Sequence, residues 1–143
     1  MSAIPATPDF SDAFDRHWQD AQSLHLAGRL ANADHLYGLA AECGLKAVMT
    51  GLNMPCDPSG VPDPPHKVHI DQLWSRFLTF ANNHGGAKYA GMLSSTNPFD
   101  DWRVSQRYAN QAHFTAAVAS SHEAGAGAVQ TCMAEARLDG VVS

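Results

Sequence analysis

The chain has 143 residues, of which 45% are hydrophobic and 16% are charged, and this is the size and composition of one globular domain. Its 14 acidic residues outnumber its 9 lysines and arginines. This excess argues against an extended nucleic-acid-binding surface, because such a surface requires a basic patch. No segment approaches the ~20 apolar residues of a membrane span, and residues 1–9 lack the features of a signal peptide. We therefore expect a cytoplasmic protein without a membrane partner.

The first predicted helix begins at Phe10 and follows a disordered lead over residues 1–9, which contain two prolines. Apolar residues recur at helical spacing from Phe10 onwards, and Ser11 is the expected N-cap. Gly28 is the expected end of this helix, because glycine readily adopts the left-handed conformation that closes a helix.

A second helix is predicted from residue 29 or 30 to residue 49, and its wide apolar stripe is typical of a central, buried helix. Five prolines between residues 51 and 65 then predict a long loop, since neither a helix nor a central strand accommodates them. The pattern of a third helix begins between His66 and His69 and ends at Gly85.

The rest of the chain also carries helical patterns. A short helical turn is expected around residues 89–93, and Asp100 or Asp101 can cap a helix that carries Trp102 and Tyr108. The pattern then continues to about Leu138, and no segment alternates as an exposed strand does. The sequence therefore predicts an all-α fold with four or five helices in a single domain over residues 10–140.

The segment at residues 27–47, AGRLANADHLYGLAAECGLKA, resembles a characteristic segment of HEPN domains, in which a Gly-Arg pair leads into the second helix. Two shorter pieces follow in the order that the family shows. HIDQL at residues 69–73 is similar to the start of the third helix, and WRVSQRY at residues 102–108 is similar to an Arg-Tyr element before the last long helix. The resemblance covers about residues 14–137.

The resemblance implies an antiparallel helical bundle, usually a homodimer, with a motif of Arg, four to six residues, and His. Arg107 and His113 are separated by five residues and match this motif. Family members that carry it are often metal-independent ribonucleases and frequently toxins. Others bind nucleotides or pair with a nucleotidyltransferase. Two positions depart from the pattern: Tyr108 stands where active members often have a small polar residue, and Thr115 stands where partner enzymes modify a tyrosine.

Arg107 and His113 suit RNA cleavage without metal or cofactor, since a histidine can activate the 2′-hydroxyl and an arginine can stabilise the charged phosphorane. On one continuous helix, however, positions six apart differ by about 120° and do not share a face. A catalytic pair therefore requires a helix break or a second subunit. The alternative is a structural arginine and a surface histidine.

Four further residues are predicted to contribute to binding: Glu42, Trp102, Arg103 and Tyr108. Trp102 and Tyr108 are expected in the core or, near Arg107, stacked on a base. Glu42 lies in an apolar helix and needs a cationic partner. That partner is either a surface Lys46 or an arginine from another helix, for which the candidates are Arg76, Arg103 and Arg107.

No metal site is predicted, because the paired Glu-x-x-His and the His-Glu-x-x-His signatures are both missing despite eight histidines. A helical metalloenzyme that uses those histidines is retained only as a third hypothesis. The first hypothesis is a HEPN-like protein that binds or cleaves RNA or nucleotide, within a toxin–antitoxin or defence pair. The second is a non-catalytic dimerisation or interaction module that partners a nucleotidyltransferase or antitoxin.

Overall fold

A computed structural model describes residue 4 and residues 7–143 of the chain, so most of the predicted lead at residues 1–9 lies outside the described residues. The elements, in chain order, are the helices α1 (Phe10–Leu26), α2 (Leu30–Gly51), α3 (Ile70–Asn83) and α4 (Ala87–Ala90), two 3-10 helices (Val104–Tyr108 and Gln111–His113), and α5 (Ala116–Leu138). The described residues form no strand, and the predicted all-α helical bundle is confirmed. No helix among them has the length and apolar character to cross a lipid bilayer.

Helix α2 is the centre of the bundle and packs against α1, α3 and α5. Its side chains are buried almost continuously from Ala33 to Met49, as the wide apolar stripe predicted. Small residues allow the close packing: a Cβ on Gly44 would lie 2.5 Å from the Val129 side chain. One hydrophobic core therefore surrounds α2, and its largest members are Trp74, Trp102, Tyr37, Phe14 and Phe77.

The turn between α1 and α2 begins at Gly28, which has a φ of +75°. The Gly28 N–H donates to the His25 carbonyl and the Arg29 N–H donates to the Leu24 carbonyl, the bonding pattern of a Schellman motif. The predicted end of α1 at Gly28 is thereby confirmed. Arg29 follows at once as the N-cap of α2.

The N-cap prediction for α1 was wrong by two residues. Asp9 caps the helix, because its carboxylate accepts a hydrogen bond from the Asp12 N–H at 3.0 Å. The Ser11 hydroxyl donates instead to the carbonyl of Ser143 at 2.8 Å. Ser11 therefore ties α1 to the end of the chain.

Residues 52–69 form the predicted loop, with one isolated bridge between Cys56 and Pro62. Asp57 organises the turn within it by accepting hydrogen bonds from the N–H groups of Ser59 and Val61. Helix α3 then begins at Ile70 with His69 as its N-cap, within the predicted interval.

The predicted helix from Asp100 or Asp101 was wrong. The Asp101 carboxylate accepts from His122 rather than from a helix N-terminus. Only a five-residue 3-10 helix, Val104–Tyr108, forms in this region, and the extended residues Ala109 and Asn110 follow it. No continuous helix therefore runs from Arg107 to His113, and the two residues are not constrained by the 120° separation of a continuous helix.

Candidate functional site

A cavity of about 540 Å³ lies between the start of α2 and the segment that contains the two 3-10 helices. We call it the arginine cavity. One wall is formed by residues 28–32, which the Schellman motif and the first turn of α2 hold in place. The opposite wall comes from the later segment, and the lining residues there are Gln106, Arg107, Ala109, Gln111 and Phe114.

Two cations, Arg29 and Arg107, line this cavity, and no acidic residue does. Both residues are exposed, and neither forms an ion pair or a side-chain hydrogen bond with any group of residues 7–143. Of the other seven lysines and arginines, five are paired with carboxylates, as in Lys46, Lys88 and Arg137, whereas Lys67 and Arg76 have no such partner within residues 7–143. In a chain with a formal charge of −5, this wall is a local concentration of uncompensated positive charge.

The first turn of α2 adds backbone donors to the same wall. Within residues 7–143, no hydrogen bond uses the N–H groups of Leu30, Ala31 or Asn32, and the Arg29 side chain does not cap them. The first turn of α2 also contains no acidic residue. These N–H groups carry the partial positive charge of the helix N-terminus, so they reinforce the two guanidinium groups.

The rest of the lining can contact a flat, polar group. Asn32, Gln106 and Gln111 supply amide donors and acceptors, and the half-buried Phe114 supplies an aromatic ring. The arrangement can hold an anion at the arginines while a planar ring lies against Phe114.

Arg107 is oriented in part by its neighbour. The guanidinium carbon lies 4.9 Å from the centroid of the Tyr108 ring, within the range of a cation–π contact. Tyr108 is 80% exposed and does not line the cavity. Tyr108 therefore contacts the Arg107 guanidinium from outside the arginine cavity.

His113 lies in the second 3-10 helix and is exposed. It does not line the arginine cavity, although its neighbours Gln111 and Phe114 do. The structure thus brings Arg107 into the cavity and leaves His113 outside it.

Trp102 is fully buried, so its ring has no face on which a base could stack. Its indole N–H donates to the Asp34 carbonyl at 3.2 Å, and the His35 ring lies parallel to it at 5.5 Å between centroids. A Cβ on Gly38 would overlap the indole. Of the two roles considered for Trp102, the structure shows the core role.

Arg103 and Glu42 also lie away from the arginine cavity. The exposed Arg103 guanidinium donates to the carbonyls of Asp100 and Trp102 at 2.6 and 2.8 Å, which stabilises the turn before the first 3-10 helix. Glu42 is buried, and of its two expected partners the structure shows Lys46 rather than an arginine, in a buried pair instead of a surface one. Its carboxylate bonds Lys46 at 3.0 Å and His69 at 2.9 Å.

A polar cluster that the sequence analysis missed lies beside the cavity, around Asp34 and His122. The side chains of both are almost fully buried, at 1% and 2% exposed, and Asp34 Oδ1 lies 2.5 Å from His122 Nδ1. Asp34 Oδ2 accepts from Gln106 at 2.6 Å, and His122 Nε2 lies 2.8 Å from a carboxylate oxygen of Asp101. A signal existed in the sequence, because Asp34 lies on the apolar stripe of α2 between Ala33 and Tyr37.

Within residues 7–143, no group of three or more histidine, cysteine, aspartate or glutamate side chains is arranged to hold a metal ion. The three cysteines are free thiols. Burial raises the pKa of Cys43 and of Cys132 to about 12, so neither is a thiolate near neutral pH.

No protein-family model, no curated protein and no solved structure matches this chain. A function is therefore inferred from the residues of the arginine cavity and from the chemistry that they provide.

Proposed function

We propose that the chain binds a phosphorylated nucleotide, free or within RNA, in the arginine cavity. The observation that carries this proposal is the pair Arg29 and Arg107, which line one cavity without a carboxylate partner in an acidic protein. An arginine fork matches the oxygens of a phosphate in a bidentate geometry. Two such forks therefore favour a phosphate-bearing ligand over a neutral one.

The surroundings of the two arginines support a nucleotide in particular. The free N–H groups at the start of α2 provide the helix terminus on which phosphates commonly bind. Phe114, Gln106 and Gln111 lie on the other wall, where a base could stack and form hydrogen bonds. A cavity of about 540 Å³ also falls within the usual size range of small-ligand sites.

The position of His113 supports binding more than cleavage. A general base must come within hydrogen-bond reach of the hydroxyl that it activates. His113 is exposed and lies outside the cavity that contains Arg107. Three expectations therefore stay predictions of the sequence resemblance. They are ribonuclease activity of the HEPN type, a homodimer, and a nucleotidyltransferase or antitoxin partner.

The proposal is tested by calorimetric titration of the full chain with ADP and with a short single-stranded RNA. We expect Arg29→Ala and Arg107→Ala each to weaken ADP binding by about tenfold or more, because each removes charge-assisted hydrogen bonds worth about 1.5–3 kcal/mol. Arg16→Ala is the matched control, since Arg16 is an exposed arginine on α1. Equal affinities for all three variants, or no binding by the wild type, would overturn the proposal.

The same samples separate binding from cleavage. The RNA is analysed by gel electrophoresis after incubation with wild-type protein and with His113→Ala. Intact RNA in both reactions agrees with a binding protein. Cleavage that His113→Ala abolishes would instead establish the ribonuclease hypothesis.

A further inference from the structure

Asp34 takes part in three hydrogen bonds, two of which connect α2 to the segment that contains Arg107. Its backbone carbonyl accepts from the Trp102 indole, and its two carboxylate oxygens contact Gln106 and His122. Asp34 lies on α2 one turn after Arg29, the first arginine of the cavity. Two of its partners lie shortly before Arg107 in the sequence, since Gln106 precedes it directly and Trp102 lies before the same 3-10 helix.

His122 extends this connection to α5 and to the loop before the first 3-10 helix. Its Nδ1 faces Asp34 Oδ1 at 2.5 Å and its Nε2 faces Asp101 Oδ1 at 2.8 Å. Ionised carboxylates only accept hydrogen bonds, so both ring nitrogens must donate. The geometry therefore requires a doubly protonated, positively charged imidazole.

The surroundings of this imidazolium exclude water, and the charges that contact it are the two carboxylates of Asp34 and Asp101. The Phe99 ring lies nearly parallel to the imidazole at 5.1 Å, with an interplanar angle of 16°. The titratable groups that face the ring are Asp34 from α2 and Asp101 from the loop. Glu123, the next residue on α5, bonds Gln22 and Tyr37 instead.

Gln106 transmits this arrangement to the arginine cavity. Its amide N–H donates to Asp34. Its amide oxygen accepts at 3.2 Å from the backbone N–H of Arg103, the N-cap of the first 3-10 helix. Gln106 itself lines the cavity beside Arg107. Fixing Gln106 on Asp34 therefore fixes the distance between Arg107 and the wall that contains Arg29.

We infer that Asp34 and His122 are positioning residues for the arginine cavity, and that deprotonation of His122 loosens the segment that carries Arg107. The inference rests on the proposed function, because it specifies how that site is held in a binding geometry. When His122 loses one proton, one of its nitrogens faces a carboxylate without a hydrogen between them. Asp101 is the contact that breaks, since its side chain is 70% exposed and can turn to solvent.

The direction of the pH dependence follows from the environment of His122. Burial by itself lowers the pKa of His122, but the hydrogen bonds and charges of Asp34 and Asp101 outweigh it and raise the pKa above its ordinary value. We call the contacts of His122 with Asp34 and Asp101 the clamp. The clamp is therefore intact below the usual histidine pKa of ~6.5 and is lost as the pH rises through the higher pKa of His122 in the folded protein. Anion affinity is expected to fall over that alkaline interval.

The experiment follows the ring nitrogens of His122 by NMR in the full chain from about pH 6 to about pH 10, an interval that begins just below the usual histidine pKa. Inorganic sulfate is titrated into the same samples, because its charge is constant over this interval and only the protein changes. We expect both ring nitrogens to stay protonated as the pH passes above ~6.5. The dissociation constant for sulfate should then rise about tenfold as His122 deprotonates, because Arg107 is no longer held in place.

Asp101→Asn tests the mechanism without disturbing the core. It removes the charge from the exposed side of the imidazole but keeps an oxygen acceptor, so the His122 transition and the sulfate transition should both move to lower pH. Asp100→Asn is the control, since its carboxylate makes no hydrogen bond within residues 7–143. It should move neither transition.

A His122 ring that loses a proton at or below pH ~6.5, or a sulfate affinity that does not change across the His122 transition, would overturn the inference. Failure of the wild type to bind sulfate or ADP at any pH overturns the proposed function instead. Amide exchange of residues 104–108 then tests the clamp alone. Exchange is compared with the intrinsic rate at each pH: lower protection above the His122 transition supports the inference, and unchanged protection overturns it.

Discussion

Two cationic regions lie along α2, and they differ in what surrounds the positive charge. In the second half of the helix, the Lys46 amino group is almost completely buried and bonds Glu42 at 3.0 Å, while His69 bonds the other oxygen of the same carboxylate. At the start of the helix, Arg29 and Arg107 are exposed and have no carboxylate within the cavity that they line.

The difference separates a cation that stabilises the fold from one that is available to a ligand. Lys46 also lines a cavity, of about 340 Å³, yet its charge is already satisfied by Glu42. Removing one partner of such a buried pair lowers the free energy of unfolding strongly, because the remaining charge is solvated neither by water nor by a counter-charge. An exposed, unpaired arginine contributes little to folding, so its charge is free for binding.

The largest expected effect comes from breaking the buried pair with Glu42→Ala. We expect the free energy of unfolding to fall by about 3 kcal/mol, because Lys46 is left buried without a carboxylate. Urea denaturation measures this change. ADP affinity of the folded variant should equal that of the wild type, since Glu42 does not line the arginine cavity.

Asp12→Ala is the control for that prediction. Asp12 forms a surface pair with Arg16 at 4.0 Å, with both side chains more than half exposed. Such pairs contribute about 0–1 kcal/mol, so the stability should hardly change. Equal losses in the two variants would contradict the distinction between buried and exposed pairs.

A smaller effect is expected from Gly38→Ala, which acts on the wall of the arginine cavity from inside the core. The added methyl group would overlap the Trp102 indole, and overpacking of this kind costs about 1–3 kcal/mol. Because Trp102 anchors the segment that leads to Arg107, ADP affinity should fall together with stability. This coupling is what distinguishes the variant from Glu42→Ala.

Gly127→Ala is the matched control within α5. A Cβ there would meet only the Trp18 ring at 3.7 Å, an ordinary van der Waals contact. Alanine is the better helix former, so stability should rise by about 0.5–1 kcal/mol with unchanged affinity. Thermal denaturation compares the two variants, and a Gly38→Ala protein as stable as Gly127→Ala would refute the packing argument.

The sequence predicted the regular helices well, because their signals are local and repeated. The apolar stripe of α2 spans six turns, and Gly28 marks the end of α1 within a single turn. The segment from Asp101 to Tyr108 was predicted less well. Its spacing imitates a helix, but Trp102 and Asp101 are held by partners far along the chain, Asp34 and His122.

The candidate site was predicted in part for the same reason. Arg107 was singled out by its motif and does line the cavity, whereas His113 does not. Arg29 was noted only as part of a helix start, because its proximity to Arg107 arises from tertiary packing. The role of Asp34 also cannot be predicted from the residues next to it in the sequence, since each of its side-chain partners lies more than 70 residues away.

Apart from the control variants, Arg29→Asp has the smallest expected effect on stability, and it contrasts most sharply with Glu42→Ala. Arg29 is the N-cap of α2 and forms no capping hydrogen bond, whereas aspartate is among the preferred N-cap residues. Its carboxylate can accept from the free N–H groups of Ala31 and Asn32 and oppose the helix dipole. Stability should therefore rise by about 1 kcal/mol.

The same substitution should abolish anion binding, because it places a carboxylate where the phosphate is proposed to lie. We expect ADP affinity to fall by at least about a hundredfold, measured by calorimetry, while urea denaturation shows the gain in stability. Arg16→Asp on α1 should leave affinity unchanged. A residue whose replacement strengthens the fold and removes binding is placed for its ligand, whereas an Arg29→Asp protein that binds ADP normally would show that Arg29 belongs to the surface and not to a site.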